Sequence, residues 1–292
     1  MAEIYDENPK RILGIEPVIT SVAEAELVHN SLIRYRSYLF FSGIMDGQPH
    51  YRGEQNFGWD VRPGLFRGGE AHLSSSDAKV LEMRLVGEFE REITTLFSSQ
   101  ALRHLFDGET YGRKWDNLFQ AQHAGIRTTI VDFSFHWERA LFFAVEESSL
   151  RDIEAADAQF WAYLYDNERL LKHSTVPLRD TYYDQDPECL ASGRMVNVPF
   201  YLSEIENRIF EGRMYKQVGR FYIPSRDKCS IPLNHQEDIA PWLFRFRIPA
   251  ACKAPIREEL KAMGLDRDYL YVKENPEHQA IVTQINQRIC GW

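Results

Sequence analysis

Apolar and polar positions alternate at a helical period through much of the first half of the chain and at a strand period through much of the second. Over "SSSDAKVLEMRLVGEFEREITTLF", Leu81, Leu85, Phe89, Ile93 and Leu96 fall on one stripe of a long helix, whose Glu and Arg residues then form a solvated face. The stretch "SVAEAELVHNSLIRYRSYLF" predicts an N-terminal helix, with Ser21 and Glu24 at the spacing of a capping box. Further helices are predicted over "KWDNLFQAQHAG", ended by Gly125 in a left-handed cap, and over "WERALFFAVEESS", "APIREELKAMG" and "NPEHQAIVTQINQRIC".

Strands are predicted at "TTIVDF", "AQFWAYLYD", "MVNVPFYL", "GRFYIP" and "WLFRFRIP". The last sets Leu243, Arg245 and Arg247 against Phe244, Phe246 and Ile248. Helices first and strands later predict an α+β fold, and no glycine-rich phosphate loop stands where a doubly wound fold needs one. The segment "QPHYRGEQNFGWDVRPGLFRGG", residues 48–69, is too short and broken for a helix, yet it sets arginines beside glycines in Tyr51-Arg52-Gly53 and Phe66-Arg67-Gly68. A guanidinium is a fork of donors suited to a phosphate, and an adjacent glycine admits close approach to the backbone.

Composition narrows the choices. With 292 residues, 44% of them hydrophobic, the chain can bury a large core. The division expected is a helical extension over 1–45 packed on a domain over 46–292. A formal charge of -9 argues against phosphate-backbone binding over the whole surface, so a nucleic-acid contact needs a local patch. Arg213, Lys216 and Arg220, interleaved with Tyr215, Phe221 and Tyr222, are the candidates, against the plainer reading of an edge strand with outward charges. The four cysteines show no metal-ligand spacing, and neither a signal-peptide pattern nor a long apolar run occurs, so a cytoplasmic protein without metal or membrane partner is expected.

Polar groups concentrate in "QAQHAGIRTTIVDFSFHWERALFFAV", where Gln122 and His123 end a helix and Asp132 and Ser134 share one face at a strand end. The plainer alternative has His123 bonding backbone and Asp132 capping the next helix. This run resembles the signature of the FRG domain family, matching it at Gln122, His123, Gly125, Thr128, Asp132, Ala140, Leu141, Phe143 and Ala144, with Arg127 and Thr129 departing where proline and arginine are usual. Tyr51, Arg52 and Gly53, followed by Trp59, Pro63, Leu65, Phe66 and Arg67, resemble the family's other block. Arg213, Gln217, Gly219 and Phe221 resemble a third, and the ending "FRIPAACKAPIREELKAMGLDRDYLY" is similar to the family's strand, Ile-Pro, Lys and helix arrangement, so the likeness spans roughly residues 48 to 272.

A more distant resemblance, to the ADP-ribosyltransferases, implies two small packed sheets forming a cleft that holds NAD as substrate, without a metal. It implies Arg52 at the phosphates, with Tyr51, Gly53, His123, Thr128, Asp132 and Phe143 about the cofactor and Ser134 behind the nicotinamide. Gln217 stands where those transferases carry a glutamate, and Glu206 is a nearby carboxylate. The activity implied is modification of a nucleic acid, or less readily a protein, by a toxin or anti-phage effector with an antitoxin or regulatory partner. A non-catalytic nucleotide or nucleic-acid binding module, and a hydrolase or nuclease using His123 and Asp132, remain open.

Overall fold

The computed structural model describes residues 9–41, 48–67, 72–96, 118–119, 121–122, 124–164, 194–197, 219–271 and 276–290. The candidates His123, Glu206, Arg213, Lys216 and Gln217 lie outside the described residues. Strands β1 (His50–Glu54), β2 (Val131–Ser134), β3 (Ala158–Tyr163), β4 (Arg194–Asn197), β5 (Gly219–Ile223) and β6 (Leu243–Ile248) form one sheet in the order β4-β5-β2-β1-β3-β6. Every neighbouring pair is antiparallel. The main helices are α1 (Val22–Phe41), α2 (Ser75–Leu96), α3 (Trp137–Val145), α4 (Arg151–Ala155), α5 (Ala250–Ala262), α6 (Arg267–Leu270) and α7 (Pro276–Cys290). The chain is α+β, as its periodicity predicts.

The expectation of two packed sheets needs correction. β1 pairs with β3 along its whole length and with β2 at Tyr51 opposite Ser134, so the two halves, β4-β5-β2 and β1-β3-β6, join edge to edge. They nonetheless part beyond that position, because β1 and β2 are registered at one pair among the described residues. At the outer edge of β6, Val18 forms a parallel bridge to Arg247 that covers backbone groups otherwise open to another strand.

Period-two alternation sends successive side chains to different layers. From β3, Phe160 and Ala162 join a core with Val28 and Leu32 of α1, Leu141 of α3, and Ile256 and Leu260 of α5. Trp161 and Tyr163 join a second core with Val61, Phe133, Tyr222, Leu233 and Ile239, beneath the irregular segments on the other face. With both faces covered, β3 is buried throughout.

Local signals are partly realised. Ser21 Oγ accepts the Glu24 N–H at 3.3 Å, but the Glu24 carboxylate turns to Thr20, taking its N–H at 2.5 Å and its hydroxyl at 2.7 Å. Gly125 has φ +100°, and Ile126 N–H reaches the Ala121 carbonyl at 2.9 Å, the wrap-around bond of a Schellman end. The polar face of α2 is not wholly solvated: Lys79 and Glu82 are buried, where Glu82 accepts the Thr129 N–H and, at 2.9 Å, its hydroxyl. Lys79 Nζ donates to that hydroxyl at 2.6 Å, so the pair is buried with hydrogen-bond partners from the segment leading into β2.

Candidate functional site

α3 crosses β1 at Gly53. A Cβ there would stand 1.8 Å from the Ala140 carbonyl oxygen and 2.5 Å from the Ala144 nitrogen, so the helix fits only against glycine. The close approach expected for a ligand is taken up by α3, which corrects the assignment of Gly53. Tyr51 points to the same side, fully buried, stacked on Phe160 at 5.5 Å and bonded through its hydroxyl to His29 Nδ1 at 2.6 Å. Burial, with Glu138 nearby, pushes that hydroxyl well above the usual tyrosine range. Tyr51 is therefore a core residue.

Three further expectations change for the same reason. Ser134 stands opposite Tyr51, on the helix side of the sheet, and its Oγ accepts the His136 N–H at 3.1 Å, closing the turn into α3. Phe143 packs on Phe142 and on Tyr271 after α6. Thr128 is buried, donating to Gln122 Oε1 at 2.5 Å while accepting the Ile130 N–H at 3.2 Å. Tyr51, Gly53, Thr128, Ser134 and Phe143 thus build the scaffold behind the site.

The alternate positions of β1 carry the polar chemistry. Arg52 Nε and Arg67 Nη2 both donate to Glu54 Oε1 at 3.0 Å, and Gln159 Nε2 donates to Glu54 Oε2 at 2.7 Å. Glu54 is buried, while Arg67 is half-exposed. Beside this group opens a cavity of ≈ 490 Å³, lined by Glu54, Trp59, Asp60, Arg62, Phe66 and Arg67, a size suited to a small-molecule ligand. Trp59, which lines the cavity, is 42% exposed. Asp60 accepts from Arg62 at 3.2 Å and from Asn234 at 3.0 Å, and lies 3.0 Å from His235 Nε2. Burial raises the Asp60 pKa, but these partners outweigh it and hold the carboxyl below its ordinary value.

Residues distant in sequence meet at this point. Arg52 Nη1 donates to the Asp132 carbonyl at 2.6 Å, where β1 and β2 part; Leu65 N–H reaches the Thr128 carbonyl at 3.0 Å; Arg127 Nη1 reaches the Arg67 carbonyl at 2.6 Å. The Asp132 carboxylate accepts from Gln122 at 2.7 Å instead of capping α3. Partial burial and the charges of Arg52 and Arg127 lower the Arg67 pKa to about 10, against the pull of Glu54 and Asp132, so its guanidinium stays charged at neutral pH. Arg220 of β5 lies over the Phe135 ring at 5.1 Å, on the turn between β2 and α3.

The structure therefore brings Arg52, Arg67 and Asp132 together and adds Glu54, Trp59, Arg62 and Gln159. Glu54 was recoverable from the sequence, since a strand sets residues two apart on one face and Arg52 was already singled out. Gln159 carried no such signal, because only the β1–β3 register places it opposite Glu54. Among the described residues no group of three His, Cys, Asp or Glu side chains converges as a metal site, and no helix is long and apolar enough to cross a membrane.

An antiparallel α+β scaffold with an arginine-lined cleft is the class that fold and site define. Residues 48–152 match the family model of the FRG domain. The match takes in β1, the Trp59 loop, α2, β2 and α3, while the third block of resemblance lies beyond it. Neither the curated proteins nor the solved structures give a match to the chain.

Proposed function

We propose that the cleft beside Trp59 binds a nucleotide and that the protein transfers ADP-ribose from NAD to a nucleic-acid acceptor. One observation carries the reading: an exposed tryptophan, the Arg62 guanidinium and the Arg67 guanidinium, the last held by the buried Glu54 carboxylate, share one cavity. Guanidinium forks suit the oxygens of a diphosphate, and an indole face suits a base. The donor set and the cavity size both fit NAD. When bound, NAD supplies an ADP-ribosyl group: its bond to nicotinamide breaks with the electron pair leaving on nicotinamide, and the acceptor bonds to the freed ribose carbon and loses a proton.

The chain's own residues supply binding and orientation in this reading. Arg67 and Arg62 hold the diphosphate, Trp59 holds the base, and Glu54 aims the Arg67 guanidinium with Arg52 behind it. Three donors already engage Glu54, so it orients its neighbours rather than abstracting a proton. Arg220 beside Phe135 offers a cation and a ring to the acceptor strand. A toxin or anti-phage role with a regulatory partner follows from the same proposal, since unrestrained modification of nucleic acid would arrest a cell.

The test is to incubate the protein with NAD labelled in its adenylate half and with total RNA, DNA or protein, following label transfer and nicotinamide release. Transfer to nucleic acid is expected, with a loss of about tenfold or more in Arg67→Ala, the scale set by a charge-assisted hydrogen bond. A folded protein that releases no nicotinamide contradicts the transferase. The saturation of Glu54 favours one second reading, a non-catalytic nucleotide-binding module. It predicts tight binding that leaves NAD intact.

A further inference from the structure

Gln159 is fully buried on β3, and the chemistry of its partners fixes its amide in one orientation. Its nitrogen donates to Glu54 Oε2 at 2.7 Å and to the Trp59 carbonyl at 2.7 Å, neither of which can donate in return. Its oxygen accepts from Arg245 Nε at 2.9 Å, and a guanidinium only donates. Turning the amide end for end would set its oxygen against a carboxylate and its NH₂ against a cation.

Arg245 extends the arrangement. Its guanidinium lies over the Phe57 ring at 3.6 Å from the centroid and donates to the Phe57 carbonyl. The loop that presents the indole is thus held at Phe57 by Arg245 and at Trp59 by Gln159, with Gly58 between. Through Glu54 the same amide is linked to the guanidinium of Arg67, which lines the cavity with Trp59, and to that of Arg52 behind it. Arg67 adds a tie farther along the chain, donating to the Arg62 carbonyl at 3.1 Å as well as to Glu54.

We propose that Gln159 is a positioning residue that sets both walls of the cleft together, so that phosphate on the guanidinium wall orders the loop that receives the base. The site then selects molecules carrying base and diphosphate in one piece over either fragment. This rests on the nucleotide reading of the cleft.

The full-length protein is titrated calorimetrically with ADP, adenosine and inorganic pyrophosphate, and deuterium exchange of the backbone over 55–60 is followed with pyrophosphate alone. Pyrophosphate slows that exchange in the wild-type protein, and Gln159→Ala and Gln159→Glu both abolish the protection. Both variants bind ADP at least about tenfold more weakly, comparable to one lost hydrogen bond to a charged group, and lose less affinity for pyrophosphate. In Gln159→Glu the new carboxylate faces the Glu54 carboxylate and the Trp59 carbonyl, with Arg245, Arg52 and Arg67 the cations nearby. Taking up a proton restores a donor there, so ADP affinity recovers between about pH 7.5 and about pH 5, which a merely damaged core does not do.

Wild-type ADP affinity in both variants overturns the inference and leaves the nucleotide reading standing. Absence of ADP binding by the wild-type protein overturns both. If Gln159→Ala does not fold, the exchange measurement on the wild-type protein decides, and no protection of 55–60 by pyrophosphate overturns the proposal.

Discussion

Arg52 and Gly53 are neighbours in one triplet, yet they serve opposite faces of the sheet. Arg52 reaches Glu54 and the Asp132 carbonyl, whereas Gly53 accommodates α3. The atoms a methyl group would meet at Gly53 belong to helix backbone, which cannot swing aside as a side chain can. Gly53→Ala is therefore expected to cost about 3 kcal/mol or more, the upper part of the range for overpacking, read as a lowered midpoint in chemical denaturation. Gly87 provides the contrast: it lies within α2 with nothing near the site of its missing Cβ, so Gly87→Ala should stabilise by about 0.5–1 kcal/mol. Equal effects at both positions would contradict the packing account. From the sequence alone Gly53 could have admitted a ligand or a helix; what decides is the small Ala140 and Ala144 pair on α3, whose facing strand only the fold reveals.

At the scale of elements, periodicity predicts the location of the elements well and their relations poorly. The strands at "AQFWAYLYD", "GRFYIP" and "WLFRFRIP" stand where their composition places them, and the helices around Leu85, Leu141 and Leu260 do likewise. The burial pattern of β6 also follows its alternation, with Phe244 and Phe246 buried and Arg247 exposed. Sheet order was not legible, because β1 pairs with β3 across more than one hundred residues, and nothing local in either strand specifies the partner. The same limit explains Glu82. Its spacing on α2 reads as surface, but Thr129 approaches from beside β2 and supplies donors that make its burial tolerable. The candidate site is legible to a similar degree: Arg52, Arg67 and Asp132 come from motifs, while Gln159 and the parting of β1 from β2 require tertiary contact.

The molecule as a whole carries a charge of -9, against which the guanidinium groups of the cleft form a local exception. Its pH response has an identifiable source in His50, buried at the start of β1 opposite Tyr163 of β3. Burial, aided by the Arg220 charge, lowers its pKa to about 3. Below about pH 6.5 the unfolded chain takes up a proton that the folded one refuses, so stability falls as pH drops from 6.5 toward 3, by up to about 4–5 kcal/mol. His29 and His136, lowered chiefly by burial, act in the same direction, whereas Glu82, raised by burial, acts in the opposite one. Denaturation midpoints across that range should show a flatter acid limb in His50→Gln than in the wild-type protein; parallel limbs would contradict the assignment.

The proposed function rests on the cleft, and ligand binding tests it without assuming a reaction. The most direct measurement is calorimetric titration of ADP-ribose into the wild-type protein, Trp59→Ala and Arg67→Ala, with thermal unfolding of each as a control. The account predicts saturable one-site binding by the wild-type protein and affinity reduced about tenfold or more in each variant, the scale of one lost base stack or one lost charged hydrogen bond. No binding by the folded wild-type protein, or unchanged affinity in both folded variants, would contradict it.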